Sequence, residues 1–198
     1  MKNLLTASVL AVALAACSSE PAKAPEQPSD TATSSATTDE TVSEAPVATP
    51  MATADPKVLS LEGLGDLKIG QAVPAGSSWA ERGAQQSDAC RTVTSPDYPG
   101  VYAIVEQGKV QRITLGQRSE VTLVEGIGVG SSEADVKKWF AGFREEPHQY
   151  EGSPAKYLTA PNAGSGDPAL RFEIGQDGKV KLIHVGTMPV LGYVEGCS

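Results

Sequence analysis

A repeated spacing constrains this chain more than any other feature. Ile69-Gly70 is followed nine residues after its glycine by Trp79, and Val129-Gly130 is followed at the same distance by Trp139, an offset of 60 residues. Gly108-Lys109-Val110 and Gly178-Lys179-Val180 match at an offset of 70, each in the turn between two runs of alternating apolar residues. Self-similarity at a fixed period marks a supersecondary unit that buries its apolar face against a neighbouring copy. The folded part therefore reads as two divergent copies, 56–120 and 121–198, sharing one core.

In the second copy Ser132 is placed to cap a helix, Glu133 and Asp135 fall in its first turn, and Val136, Trp139, Phe140 and Phe143 recur at i, i+3, i+4 and i+7. In the first copy Pro74, Gly76 and two serines precede Trp79, so a shorter or irregular helix is expected there. Strand signals follow at 91–95, 101–106 and 110–115, then at 156–160, 170–174 and 180–185. Gln107-Gly108 and Asp177-Gly178 supply tight hairpin turns, 193–197 offers an edge strand, and the Gly-, Ser- and Asn-rich stretch 162–167 is a loop. The expected fold class is α+β: two tandem units, each a helix plus an antiparallel three-stranded meander, after a disordered tether. Trp79 and Trp139 share the repeated helical position and are expected in the core.

The first 16 residues carry Lys2 and then a short apolar run, below the roughly 20 residues a spanning helix needs. They read as a signal peptide. The run closes on Leu14-Ala15-Ala16-Cys17, which resembles the lipobox of bacterial lipoproteins. That resemblance implies cleavage before Cys17, lipidation of its sulfur and attachment to a membrane, at about 0.8 kcal/mol per buried acyl methylene. An ordinary secretory peptide with an incidental cysteine is the competing reading. Ser18 stands where an Asp retains such lipoproteins in the inner membrane, so the resemblance favours the outer membrane of the cell envelope.

Residues 18–55 are Ser, Thr, Ala, Pro and acid, with Val42, Val47 and Met51 as their only large apolar side chains. Such a segment buries too little surface to offset its ordering entropy and reads as a disordered tether, reaching about 35 Å. It holds seven acids against Lys23, whereas the chain from Pro56 onward has 14 Lys and Arg against 17 Asp and Glu. A domain so balanced lacks the basic footprint of nucleic-acid binding.

With Cys17 assigned to lipid, Cys90 and Cys197 remain, and an even remainder in an exported protein points to one disulfide. Two free thiols or a metal site are the alternatives, though His148 and His184 give poor zinc spacing.

No G-x-S-x-G, H-E-x-x-H or Walker loop is present, so no enzyme, metal or cofactor is expected. His184, inside Leu182-Ile183-His184-Val185, reads as an outward-facing strand residue, and His148, with Glu145, Glu146 and Glu151 beside it in sequence, as part of a solvated loop or a ligand contact. Loop aromatics concentrate binding energy, which makes Tyr98, Tyr102, His148 and Tyr150 the candidate contacts, with Tyr157 beside them.

The glycine motifs, the Ser131-Ser132-Glu133 helix start, the aromatic helix and the meander resemble the helix-plus-sheet units of the SmpA/BamE family of outer-membrane assembly lipoproteins. The tandem arrangement is similar to β-lactamase inhibitory proteins. Both resemblances imply a non-enzymatic role in binding an envelope or extracellular protein, as an assembly factor or an enzyme inhibitor. A surface carbohydrate-binding role, using the loop tyrosines, is the alternative, and a small hydrolase is a third and weaker reading.

Overall fold

The computed structural model describes residues 57–85 and 87–197. The expected signal peptide, the lipidated Cys17 and the tether lie outside the described residues, all of which belong to the unit Pro50–Ser198.

The α+β expectation is overturned, because the described chain is mostly β, with eleven strands in two antiparallel sheets and one seven-residue α-helix. Strands β1 (Leu59–Ser60), β2 (Gly63–Leu64) and β3 (Leu67–Lys68) form a small sheet. The large sheet contains β4 (Ala80–Glu81), β5 (Cys90–Thr94), β6 (Val101–Glu106) and β7 (Lys109–Leu115), then β8 (Arg144–Pro147), β9 (Lys156–Thr159), β10 (Ala169–Ile174) and β11 (Val180–Gly186). Its order is β4-β5-β6-β7-β11-β10-β9-β8. Two four-stranded meanders thus meet edge to edge where β7 pairs with β11, and there is no pair of helix-capped units.

Alternation along the strands sorts residues onto two faces. The register aligns Val93, Ala103, Ile113, Val185 and Leu170 in one row, and Val101, Leu115, Ile183, Phe172 and Leu158 in another. These rows form the main core face, packed against Leu59, Leu64, Leu67 and Trp79 from the N-terminal segment and Val136 from the helix. The hairpin β6–β7 turns on Gln107 and Gly108, both at positive φ (52° and 75°), the pattern of a type I′ turn.

The helix α1 (Glu133–Trp139) is capped by the Ser132 hydroxyl, which accepts from the Asp135 N–H at 3.1 Å. It ends at Trp139, about one turn sooner than the apolar spacing requires to include Phe143. Phe140 and Phe143 therefore reach the core from the turn beyond the helix, meeting Phe172 at 5.3 and 5.9 Å between ring centres. Trp139 points outward and is 56% exposed, contrary to the expectation of a core position. No helix forms before Trp79, where Pro74 and Gly76 set a turn; Trp79 is nonetheless 5% exposed and stacks on Tyr98 with 5.5 Å between centres.

Residues 193–197 are not a strand. Residues 187–197 form a strap over the other face of the sheet, with a 3-10 turn at Val190–Gly192. Val190 packs on Cys90 and Ile104, and Leu191 on Ala160, Ala163 and Ala169. Cys90 and Cys197 form a disulfide across 107 residues, which fastens the end of the strap to β5. Both edges of the large sheet are blunted. On one, the Cys90 and Thr92 N–H groups donate to the Ser87 hydroxyl (3.1 Å) and the Gln85 side-chain carbonyl (2.7 Å), and on the other β8 presents Arg144, Glu145 and Pro147.

Candidate functional site

Beneath and beside the strap, the face opposite the core is polar. A row of side chains crosses seven strands in register: Thr94, Tyr102, Thr114, His184, Arg171, Thr159 and Arg144. The strand alternation that builds the core thus also builds this strip, and the strap covers only part of it.

Arg112 explains how the covered part holds together. It is 1% exposed, and its Nη1 donates to the carbonyls of Val190 (3.0 Å) and Tyr193 (2.5 Å), while Arg171 Nη1 donates to that of Gly192 (3.2 Å). The Gly192 and Tyr193 carbonyls, at the end of the turn, lack intrahelical donors and the guanidinium groups supply them, while the Val190 carbonyl, which already accepts from the Tyr193 N–H at 3.2 Å, gains a second donor. Burial lowers the Arg112 pKa from its usual value, opposed by the Tyr102 hydroxyl that bonds it.

His184 corrects the expectation of an outward, solvated position. It is buried on this strip, with Nδ1 2.9 Å from the Thr114 hydroxyl. Burial first, then the charges of Arg112 and Arg171, push its pKa well below the usual histidine value, so it is neutral near pH 7.

His148 is equally enclosed, its side chain 6% exposed. Its Nδ1 accepts from the backbone N–H groups of Tyr150 (3.1 Å) and Glu151 (3.0 Å), which places the ring proton of the neutral form on Nε2, 3.2 Å from Glu173. The ring stacks on Tyr157 at 4.8 Å, and the Arg171 guanidinium lies 4.1 Å from the centre of that same tyrosine. Held at Nδ1 by those two N–H groups and by the stack on Tyr157, His148 braces the loop after β8, while Nε2 faces Glu173 without forming a hydrogen bond.

The acids adjacent in sequence serve other partners. Glu145 joins Lys137 and Lys156 in a cluster with Glu133, and Glu146 accepts from Thr159 at 2.8 Å. Tyr150 stays on the surface, 63% exposed, its hydroxyl donating to Glu195 of the strap.

Tyr98 and Tyr102 border one groove, at the loop end of the first meander, with space of about 600 Å³. Its walls are Thr94, Tyr102, Gln117, Arg118 and Leu182, with Gly116 among them. Tyr98 contributes to the wall while its ring packs against Trp79, and burial raises its pKa, followed by the effect of Asp66 and Asp97.

The four candidate contacts therefore separate into two pairs: Tyr98 with Tyr102 at this groove, His148 with Tyr150 at the loop after β8. Arg118 and Leu182 complete the groove, and neither is marked in the sequence except by the turn Gly116-Gln117-Arg118-Ser119. Glu173, the partner of His148, lies 25 residues away in an ordinary strand and carries no local signal. Among the described residues no three His, Cys, Asp or Glu side chains converge as metal ligands. No family model, curated protein or solved structure matches this chain.

Proposed function

We propose that this chain is a lipid-anchored protein of the cell envelope, facing the periplasm or the outer membrane, that binds another protein and performs no catalysis. The observation that carries this reading is Trp139. A tryptophan is among the most buried residue types on average, and one held more than half exposed on a capped helix offers a large rigid contact of the kind that dominates interface energies. Tyr150, exposed and tied to the strap, offers a second such contact. The blunted sheet edges favour recognition through side chains over strand addition. Both histidines are enclosed by structural partners, in keeping with a binding role.

A photo-crosslinker placed at residue 139 of the lipidated chain in intact envelopes tests the reading. One defined protein adduct is expected there and none from a crosslinker at Lys181; equal, diffuse labelling from both sites would defeat the proposal. The groove beside Tyr102 favours a second reading, surface carbohydrate binding, because it combines an aromatic wall with hydroxyl and amide groups.

A further inference from the structure

We propose that the groove beside Tyr102 binds an acidic saccharide, with the carboxylate of a uronic-acid unit on Arg118 and its sugar ring against Tyr102 and Leu182. This rests on the carbohydrate reading above and is independent of Trp139. At about 600 Å³ the groove lies within the range of small-ligand sites, roughly 300–1,000 Å³.

Charge comes next. Arg118 is the only charged residue in the lining, although acids outnumber bases across the domain. Its guanidinium has no hydrogen-bond or ion-pair partner among the described residues. Its backbone sits at φ 74°, a left-handed conformation that is strained for an L-residue and that glycine would hold without strain. Strain of this kind at an exposed cation points to a role in binding.

The position of Arg118 is fixed by close packing of its loop. A side chain at Gly100 would meet the Gln117 carbonyl oxygen at 2.4 Å and the Ser119 nitrogen at 2.7 Å, so only glycine lets these loops touch. A side chain at Gly116 would lie 3.2 Å from the Gly100 carbonyl oxygen and 3.6 Å from Leu182, crowding the groove.

The wall also argues against a peptide. Gly116 N–H donates to the Gly100 carbonyl and Ser119 N–H to the Gly116 carbonyl, so these backbone groups are already paired and offer an extended chain no ladder. What the lining presents is the Thr94 hydroxyl, which accepts from Arg82 at 3.3 Å, the exposed Gln117 amide, the Tyr102 ring with that of Tyr98 beside it, and one cation. That set suits a ligand rich in hydroxyls that places one carboxylate on the cation.

Calorimetric titration of the full chain in detergent with digalacturonic acid, neutral galactobiose and the tripeptide Gly-Glu-Gly tests this. Digalacturonic acid is expected to bind at least about tenfold more tightly than either of the others. Arg118→Gly is expected to abolish that preference while the melting temperature stays level or rises, because glycine relieves the backbone. Equal affinity for the two sugars overturns the acidic assignment and leaves the carbohydrate reading standing. Absence of binding by both sugars at about 10 mM overturns the two together, and tighter binding of the tripeptide overturns the saccharide in favour of a peptide.

Discussion

In the first meander Gly70 N–H donates to the Val110 carbonyl (2.7 Å) and Val110 N–H to that of Gln71 (2.8 Å); in the second, Gly130 N–H donates to Val180 (2.9 Å) and Val180 N–H to Ser131 (2.9 Å). Both glycines have positive φ, and each meander carries a register shift one strand before its hairpin turn, at Ile104/Val105 and at Glu173/Ile174. The backbones match; the coverings do not. One half places Val136, Phe140 and Phe143 over Phe172, whereas the other dispenses with a helix and fills the space with Trp79 stacked on Tyr98. A sheet face needs apolar volume, and the secondary structure that delivers it is free to differ.

That difference is broken most forcefully at Trp79. Trp79→Ala removes a buried aromatic from a rigid stack and is expected to cost about 3–5 kcal/mol in urea unfolding. The indole N–H has no hydrogen-bond partner among the described residues, so Trp79→Phe should cost distinctly less. A loss under about 1 kcal/mol for the alanine variant would mean the first half is closed by something other than Trp79.

The strap is common to both halves, since Val190 sits on the first and Leu191 on the second. Cys197→Ala opens a 107-residue loop and is expected to cost about 2–4 kcal/mol, measured as a lower urea midpoint. The buried anchors and the guanidinium bonds should keep Val190 and Leu191 protected from hydrogen exchange in that variant. Their loss of protection would show that the disulfide alone seats the strap.

Much of the sheet is legible in the sequence because its longer strands are apolar runs bounded by turn residues, in part alternating with polar ones. Strands β5, β6, β7, β9, β10 and β11 fall where β-branched and other apolar residues cluster between turn signals, within one residue at their ends, and Cys90–Cys197 follows from counting cysteines. The fold class was misread because Val136, Trp139, Phe140 and Phe143 are spaced as one helical face, while the helix ends at Trp139 and Gly142, at φ 84°, redirects the chain. The short strands β1 to β4 and the charged β8 lack a period long enough to register. Of the site, Tyr150 lies on an exposed loop, as its sequence setting indicates, whereas Tyr102 lies in β6 and not on the loop expected for it. Arg118, Glu173 and the buried state of His184 were not legible, because they depend on pairings between distant strands.

His184 sharpens the comparison at the seam between the halves, where it pairs with Thr114 across β7 and β11. Its folded pKa lies below the unfolded value near 6.5, so the unfolded chain binds the extra proton first. The stability this contributes is full above about pH 6.5 and falls as the pH drops below it, by at most about 1.4 kcal/mol per pH unit. Urea midpoints at pH 7.5 and 5.5 should therefore converge in His184→Gln relative to the unsubstituted protein. An undiminished difference would place the pH sensitivity elsewhere.

The smallest effect on stability is expected at Trp139, the counterpart of Trp79 in the repeat. Removing a side chain that is already more than half exposed takes little apolar surface out of the core, so Trp139→Ala should change stability by no more than about 0.5 kcal/mol. The same substitution should remove the contact on which protein binding is proposed to depend. Equal stability with lost partner capture separates the two tryptophans cleanly, one packing and one recognising. A Trp139→Ala variant that unfolds as readily as Trp79→Ala would instead make both residues structural, and would leave Tyr150 as the exposed aromatic on which binding has to rest.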